Sequence, residues 1–251
     1  MDWTHMDWQA VWAEEFAARE ASQGKRLRDD AVELAFWERL APQYDTRHRL
    51  NEEVPGLVDY LQQVLGAGRF VREIGPGTGN FTMPLARTAA RWEGIEFAPP
   101  MQRQVEKKIA AAGWTHVHIR SGKWEDIVID EPADVLLAVN SLYRIERLQE
   151  AIDKMVHTTR EALVLVRTLQ YRESALQRYA GAKGHVHPDF YLMVNMLWAH
   201  GLPVEIRAFP FMRKYYADGG EDIAIRIDGE DAHGAYRLLE ETVMTAYVSL
   251  R

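Results

Sequence analysis

Three closely spaced glycines follow an acid and an apolar run in residues 70–80, FVREIGPGTGN. Glycine tolerates positive φ angles and carries no Cβ, so Gly75, Gly77 and Gly79 would let a ligand come close to the backbone. The apolar run before them is typical of a buried strand, which places the loop at the carboxyl end of a sheet. The pattern predicts a ligand-binding turn between a strand and a helix.

The acid and the glycine spacing indicate what kind of ligand this turn takes. Glu73 stands two residues before Gly75, where its carboxylate would repel a pyrophosphate and favour a cation. Dinucleotide sites prefer the spacing G-x-G-x-x-G, whereas Asn80 follows Gly79 here. A nucleotide-cofactor oxidoreductase is therefore the less favoured alternative.

Residues at the ends of three further strands could complete such a site. Glu96 ends the second strand, WEGIEF, and its carboxylate can accept both hydroxyls of a ribose. RSGKWEDI follows the third strand, and AVNSLYRI, with Asn140, ends the fourth. Because ligands of doubly wound sheets bind at the carboxyl ends of the strands, we expect these residues to converge.

Taken in order, these motifs resemble those of the class I S-adenosylmethionine-dependent methyltransferases. The motifs are E-x-G-x-G-x-G at 73–79, E-x-x-P-x-M at 96–101, G-x-W-E-D at 122–126 and the asparagine that ends the fourth strand. The resemblance spans about residues 44–168. It implies a Rossmann-like methyltransferase that uses S-adenosyl-L-methionine and releases S-adenosyl-L-homocysteine.

The resemblance also implies roles for individual residues. The glycines would lie under the methionine part, Glu73 would orient its ammonium, Glu96 would hold the ribose and Asn140 would lie near the sulfonium. The full implied cofactor set is Tyr44, Glu73, Gly75, Gly77, Gly79, Glu96, Phe97, Met101, Trp124, Glu125 and Asn140. Phe97 and Met101 would pack around the adenine.

One position departs from the family pattern. Family members often carry an Asp directly after the glycine of the third-strand loop, where it accepts from the adenine amino group, but this chain has Lys123. The usual acceptor is either missing or supplied by Glu125 or Asp126. Trp124 in the same loop fits two roles equally well: a contact with the cofactor, or a buried side chain of the hydrophobic core.

The acceptor side is less defined by sequence. Five residues at or after the carboxyl ends of the later strands are candidates for the acceptor pocket: Tyr143, Arg167, Tyr171, Tyr191 and Trp198. If the acceptor must lose a proton, Tyr143, His185 or His187 could act as general base. No metal is predicted, because the pairs His116/His118 and His185/His187 lack a third ligand at a suitable spacing.

Elements that would position these residues follow from the hydrophobic periodicity. Apolar strands alternate with amphipathic helices from about residue 69 to 168, which predicts an α/β fold: a doubly wound, mostly parallel, seven-stranded sheet with helices on both faces. We expect an amino-terminal helical cap over residues 1–55 and a cofactor-binding core over 56–230. Residues 231–251 are predicted to form a carboxyl-terminal helix.

Composition limits the function further. The 251 residues contain no cysteine and carry a net charge of −7, which excludes thiolate metal sites and argues against a broad nucleic-acid surface. No apolar run reaches membrane-spanning length and the start lacks a signal-peptide pattern, so a cytoplasmic protein is expected. We expect a small-molecule acceptor and a monomer or homodimer. A cofactor-binding protein without transferase activity would share every motif.

Overall fold

Eight strands form one sheet in the computed structural model, which describes residues 6–47, 49–169, 186–216, 228–232 and 234–251. The strands are β1 (Phe70–Ile74), β2 (Arg91–Glu96), β3 (Val117–Ser121), β4 (Ala133–Val139), β5 (Thr159–Thr168), β6 (Val204–Tyr216), β7 (Gly229–Asp231) and β8 (Gly234–Ser249). Their order is β3-β2-β1-β4-β5-β8-β6, and the short β7 pairs with β8. Strands β1 to β5 pair in parallel, which confirms the predicted doubly wound sheet.

The parallel strands are apolar on both faces because helices cover both sides. In β4, Val135 and Leu137 pack on one face while Leu136 and Ala138 pack on the other. Because both faces of the strand are buried, its sequence is a continuous apolar run. The helices are α1 (Trp8–Gln23), α2 (Asp30–Leu40), α3 (Tyr44–Arg47), α4 (Leu50–Glu53), α5 (Leu57–Leu65), α6 (Thr82–Leu85), α7 (Pro99–Ala111), α8 (Leu148–His157) and α9 (Asp189–Ala199).

The amino-terminal helices pack over the carboxyl ends of the strands. Asp7 caps α1 by accepting from the backbone N–H of Ala10 at 2.9 Å, as expected for this residue type. Trp12 and Phe16 are buried, and the Trp12 indole donates to the carbonyl of Ile145 at 2.9 Å. Trp12 and Phe16 of α1 therefore pack the cap onto the core.

The prediction for the carboxyl terminus is wrong: residues 234–249 form strand β8 and not a helix. β8 lies between β5 and β6 and pairs antiparallel with both. Residues 238–241 are good helix formers. The β-branched residues Val243, Thr245 and Val248 that follow are buried, and such residues favour a strand whose two faces are both covered. Long-range pairing to the open edge of β5 outweighs the local helix propensity.

The segment VEIRAFPFMRKYY forms strand β6. β6 pairs antiparallel with β8 from Val204↔Val248 to Tyr216↔Tyr236. Residues 217–227, which follow β6 in the chain, lie outside the described residues. Pro210 is tolerated in β6 because, among the strands that the structure describes, β6 lies at the edge of the sheet. Among the described residues, no helix combines the length and apolarity needed to cross a bilayer.

Candidate active site

A large cavity lies at the carboxyl ends of β1, β2, β4 and β5. Its volume is about 1310 Å³, which exceeds the roughly 300–1,000 Å³ of ordinary ligand pockets. The glycine loop and the strand ends form its floor, helices α1 to α3 cover it, and Arg213, Tyr215 and Glu241 of β6 and β8 close one side. The space suffices for two ligands side by side.

The glycines of the loop are required for different reasons. Gly75, Gly77 and Gly79 have φ angles of 67°, 59° and 86°, which side-chain-bearing residues rarely adopt. A Cβ on Gly75 would lie 2.5 Å from the Cβ of Ser141. A Cβ on Gly77 would meet nothing closer than the Met101 methyl at 4.0 Å, so the space above Gly77 belongs to the cavity. Gly77 thus presents bare backbone to the cavity. Gly79 does not line the cavity, and a Cβ there would lie 2.6 Å from Cγ2 of Val105 on α7.

Glu96 joins the tips of β1 and β2. Its Oε2 accepts from the N–H of Gly77 and its Oε1 from the N–H of Ala98, both at 2.8 Å. Burial raises the pKa of Glu96, and the backbone N–H groups counteract this effect. Two backbone donors therefore fix the orientation of the carboxylate, and lone pairs remain for hydroxyl groups of a ligand.

Glu73 is fully enclosed behind the glycine loop and still reaches the cavity wall. Its Oε2 accepts from the Thr82 hydroxyl at 2.5 Å and from the Trp92 indole at 3.1 Å. Burial raises the pKa of Glu73 to about 7, although both hydrogen bonds oppose the shift. A buried carboxylate with only neutral donors is stabilised by an incoming cation.

The predicted adenine end is built by Phe97 and Met101 together with the cap. Met101 is buried beside Tyr44, which packs edge-on against Trp37 at a ring-centroid distance of 5.8 Å. Burial raises the pKa of the Tyr44 phenol. The Phe97 ring lies 5.3 Å from the ammonium of Lys123 and 5.1 Å from the guanidinium of Arg144.

The loop after β3 uses its tryptophan mainly for packing. The Trp124 side chain is 2% exposed, and its indole donates to the carbonyl of Ala151 at 3.2 Å. Lys154 holds the loop by donating to the carbonyls of Trp124 and Ile127, and its ammonium lies 4.6 Å from the Trp124 ring. Glu125 is exposed at the cavity rim.

Asn140 ends β4 with a φ of 52°. Its Oδ1 accepts from the backbone N–H of Thr168 at 2.8 Å, and its Nδ2 donates to the Thr168 hydroxyl at 3.0 Å. These bonds tie the ends of β4 and β5 together beside Gly75. The left-handed conformation tolerated by Asn turns the chain out of the sheet at the cavity.

The residues predicted for the acceptor pocket and for the general base fall into three groups by their location. Tyr143, Arg167 and His187 line the cavity. Tyr191 and Trp198 do not: their side chains are 48% and 50% exposed on the outer face of α9. Tyr171 and His185 lie outside the described residues. The sequence could not distinguish the two faces of α9, because this helix is apolar almost all round.

Tyr143 and Arg167 are held by buried partners. The Tyr143 hydroxyl donates to Glu33 at 2.6 Å, and burial together with this carboxylate raises the pKa of the phenol, which disfavours Tyr143 as a general base. Arg167 is 3% exposed and donates through Nε to Asp189 at 2.7 Å. Its fixed guanidinium borders Asn140, to which it donates at 3.4 Å.

His187 forms a buried pair that no sequence pattern predicts. Its Nδ1 lies 2.8 Å from Oε1 of Glu15 on α1, and both side chains are less than a tenth exposed. A carboxylate acceptor favours the tautomer with the proton on Nδ1 and the lone pair on Nε2. The two residues are 172 positions apart in the sequence, so no motif spacing could predict that they pair.

Three further groups escaped the sequence-based predictions. On the β6–β8 side, Arg213 contacts Glu241 at 3.3 Å and Tyr215 donates to the same carboxylate. The helix predicted over residues 231–251 would not bring Glu241 to Arg213 and Tyr215, whereas the β6–β8 pairing does. The other two join the cap to the core, Asp45 with Thr78 and Lys108, and Asp30 with Lys123.

No metal centre is assembled among the residues that the structure describes. No three His, Asp or Glu side chains form a group that could hold an ion. His116 of the predicted pair instead lies with Nε2 at 2.9 Å from the carbonyl of Ala86. These histidines therefore belong to the edge of the sheet.

Comparisons with known proteins identify the fold. Residues 71–162 match a family model described as a methyltransferase domain. No curated protein matches the chain in sequence. The N-methyltransferase NodS from Bradyrhizobium japonicum, solved in complex with S-adenosyl-l-homocysteine, is 18% identical with a TM-score of 0.54, covering 86% of this chain and 96% of NodS.

Two other solved structures agree with that likeness. YcgJ from Bacillus subtilis is 10% identical with a TM-score of 0.55, covering 76% of this chain and 97% of its own. DhpI in complex with S-adenosylhomocysteine is 14% identical with a TM-score of 0.54, covering 85% and 93%. Likenesses at these identities establish the fold. Residues 71–162 of this chain thus match a methyltransferase domain, and the chain shares the fold of the solved S-adenosylmethionine-dependent methyltransferase structures.

Proposed function

We propose that this protein transfers the methyl group of S-adenosyl-L-methionine to a small-molecule acceptor. One observation carries the proposal: the N–H of Gly77 is bonded to Glu96 while the space above the Gly77 Cα is open. This arrangement joins a ribose-binding carboxylate to a stretch of bare backbone at the tips of adjacent strands. A nucleoside with an amino-acid tail matches both features.

The cofactor would lie across β1 and β2. Glu96 would accept from the ribose hydroxyls, Phe97 and Met101 would contact the adenine, and Glu73 would attract the ammonium. Glu73 also disfavours the alternative of a pyrophosphate-bearing coenzyme, because two like charges would meet in a buried site. When bound, the sulfonium would supply an activated methyl group for in-line displacement.

The remaining cavity volume would hold the acceptor. Its wall consists of charged and aromatic side chains whose orientations are fixed by partners, including Arg167 with Asp189 and Tyr215 with Glu241. Fixed walls can align the lone pair of an acceptor behind the methyl group, and alignment supplies much of the rate enhancement in such displacements. Enclosure under the cap would exclude water.

For an acceptor that must lose a proton, His187 is the general base that we favour. It lines the cavity, and Glu15 holds Nδ1, so Nε2 carries the lone pair. Nitrogen-15 shifts of His187 in the complex with S-adenosylhomocysteine should report the Nδ1–H tautomer, and Glu15→Gln should abolish that preference. A dominant Nε2–H tautomer would remove His187 from this role.

Titration calorimetry with S-adenosylhomocysteine tests the proposed function. Gly77→Asp should weaken binding by about tenfold or more, about 1.4 kcal/mol, because the new side chain enters the site with a charge and a strained φ. Glu96→Ala should have an effect of similar size.

Gly113→Asp is the matched control for Gly77→Asp. Gly113 has a φ of 67° and open space around its Cα, but does not line the cavity. The affinity of the Gly113→Asp variant for S-adenosylhomocysteine should equal that of the unmodified protein. Unchanged affinity in folded Gly77→Asp and Glu96→Ala would contradict the site. Binding without methyl release to any acceptor would favour the non-catalytic alternative.

A further inference from the structure

We propose that the ion pair between Asp30 of α2 and Lys123 recognises the adenine edge of the cofactor. Asp30 would accept from the 6-amino group, and Lys123 would donate to N1. This inference rests on the proposed function, since the adenine is placed beside Phe97 by that proposal. It assigns the acceptor that the Lys123 position removes from the third-strand loop.

The pair lies beside the Phe97 ring, near which the adenine is proposed to bind. The ammonium of Lys123 is 5.3 Å from the Phe97 ring and 2.5 Å from Oδ2 of Asp30. Arg144 lies 5.1 Å from the same ring and bonds Oδ1 of Asp30 at 2.9 Å. All four residues line the cavity.

The pair offers the hydrogen-bonding groups that adenine needs. A carboxylate has about four acceptor positions and Asp30 uses two of them, while an ammonium has three donors and Lys123 gives one to Asp30. One acceptor and one donor therefore stand side by side. Adenine presents a donor at its 6-amino group and an acceptor at N1, whereas hypoxanthine presents the reverse pattern.

The acids of the third-strand loop face a different cation. Glu125 and Asp126 are exposed, and their charges act on Lys154, whose pKa burial lowers and these carboxylates raise. Lys154 lies over the Trp124 ring, and its ammonium donates to the carbonyls of Trp124 and Ile127. The carboxylate that touches Lys123 comes from the cap. Adenine recognition would therefore depend on α2 being docked.

Calorimetry with S-adenosylhomocysteine and S-inosylhomocysteine, which carries hypoxanthine, tests the inference. The unmodified protein should prefer the adenine ligand by about tenfold or more. Asp30→Asn should reduce that preference to about threefold or less, because an amide can also donate to the 6-oxo group. Lys123→Ala should reduce it as well.

Matched variants separate recognition from cap docking. Glu38→Gln on the same helix removes an exposed ion pair to Arg103 of α7, 2.9 Å long, and should leave the preference unchanged. Asp30→Asn combined with Lys123→Asp should restore the preference by returning an acid to the third-strand loop. Melting curves verify that each variant folds.

Each remaining outcome has a definite meaning. If Asp30→Asn weakens both ligands equally, Asp30 only docks the cap and the inference is overturned. The same holds if Glu125→Gln or Asp126→Asn removes the preference while Asp30→Asn does not. If the unmodified protein gives no heat with S-adenosylhomocysteine, the proposed function fails and the inference fails with it.

Discussion

The two sides of the cavity are built in different ways. On the side proposed for the cofactor, called the cofactor side, Gly77 lies in the loop after β1 and Glu96 ends β2, and a hydrogen bond of 2.8 Å from the Gly77 N–H to the Glu96 carboxylate joins them. On the side proposed for the acceptor, called the acceptor side, the wall comes from α1, the end of β5, His187, β6 and β8, which are far apart in the chain. The cofactor side is thus set by short segments, whereas the acceptor side exists only once the fold is complete.

The two sides also differ in how they treat charge. Among the described residues, Glu73 and Glu96 accept hydrogen bonds only from neutral donors, and burial raises the pKa of both. On the acceptor side, Arg167 is already paired with Asp189, and Arg213 with Glu241. The cofactor side therefore retains electrostatic attraction for a cation, while the acceptor side is largely neutralised before any ligand enters.

Arg167→Leu should give the largest effect and tests whether the acceptor side is held by its ion pairs. Removing one partner of a buried pair costs about 3–5 kcal/mol because the other charge stays buried. We expect the free energy of unfolding to fall by about 3 kcal/mol, since Arg19 still lies 3.5 Å from Asp189. Denaturant unfolding measures this.

The same strand provides the control. Arg160→Leu on β5 removes an ion pair of 3.2 Å with Asp134 whose arginine is 46% exposed. Its cost should be about 1 kcal/mol or less, because water and salt screen the pair. Equal losses in both variants would mean that the Arg167–Asp189 pair contributes little to holding the acceptor side.

Glu73→Gln tests the retained charge of the cofactor side. The pKa of Glu73 is raised from 4.5 to about 7, so the folded state holds a proton that the unfolded state loses between these values. The stability of the unmodified protein should therefore fall as the pH rises from about 4.5 to 7. The Gln variant should gain relative stability over that window, on the order of 3 kcal/mol above pH 7.

Unfolding at pH 5 and pH 8 measures that difference for the Glu73→Gln variant. Glu106→Gln on α7, whose carboxylate is exposed, should show no such gain. At pH 8 the Glu73 variant should also bind S-adenosylhomocysteine more weakly, since it lacks the charge for the ammonium. A variant that is more stable yet binds equally well would separate Glu73 from the cofactor.

Asp45→Asn should give the smallest effect on stability and tests the contact between the cap and the glycine loop. Asp45 accepts from the Thr78 hydroxyl at 2.5 Å and pairs with Lys108 at 2.6 Å. Both charged side chains are about a third or more exposed, so we expect a loss of about 1 kcal/mol or less.

Limited proteolysis provides the sensitive readout for Asp45. Cleavage within residues 6–45 should be faster in Asp45→Asn, and S-adenosylhomocysteine should slow cleavage in the unmodified protein. Glu38→Gln, which opens a different ion pair of the cap, serves as the comparison. Equal cleavage with and without the ligand would contradict a cap that responds to the cofactor.

The sequence alone determined the parallel core and the layout of the cofactor side. A buried strand followed by positive-φ glycines has few alternative conformations, and strand ends in a parallel sheet meet at one edge. Glu73, Gly75, Gly77 and Glu96 therefore lie together at the cavity as the motif order indicated, whereas Gly79 packs against Val105. Their contacts with a cofactor remain a prediction.

Only the tertiary structure decided the acceptor side. Residues 234–249 form strand β8 because they pair with the free edge of β5, although their sequence is also compatible with a helix. Trp198 lies on the surface, and His187 pairs with Glu15, which is 172 positions away in the sequence. These outcomes depend on pairings between distant segments, whose free energy comes from packing that no local pattern encodes.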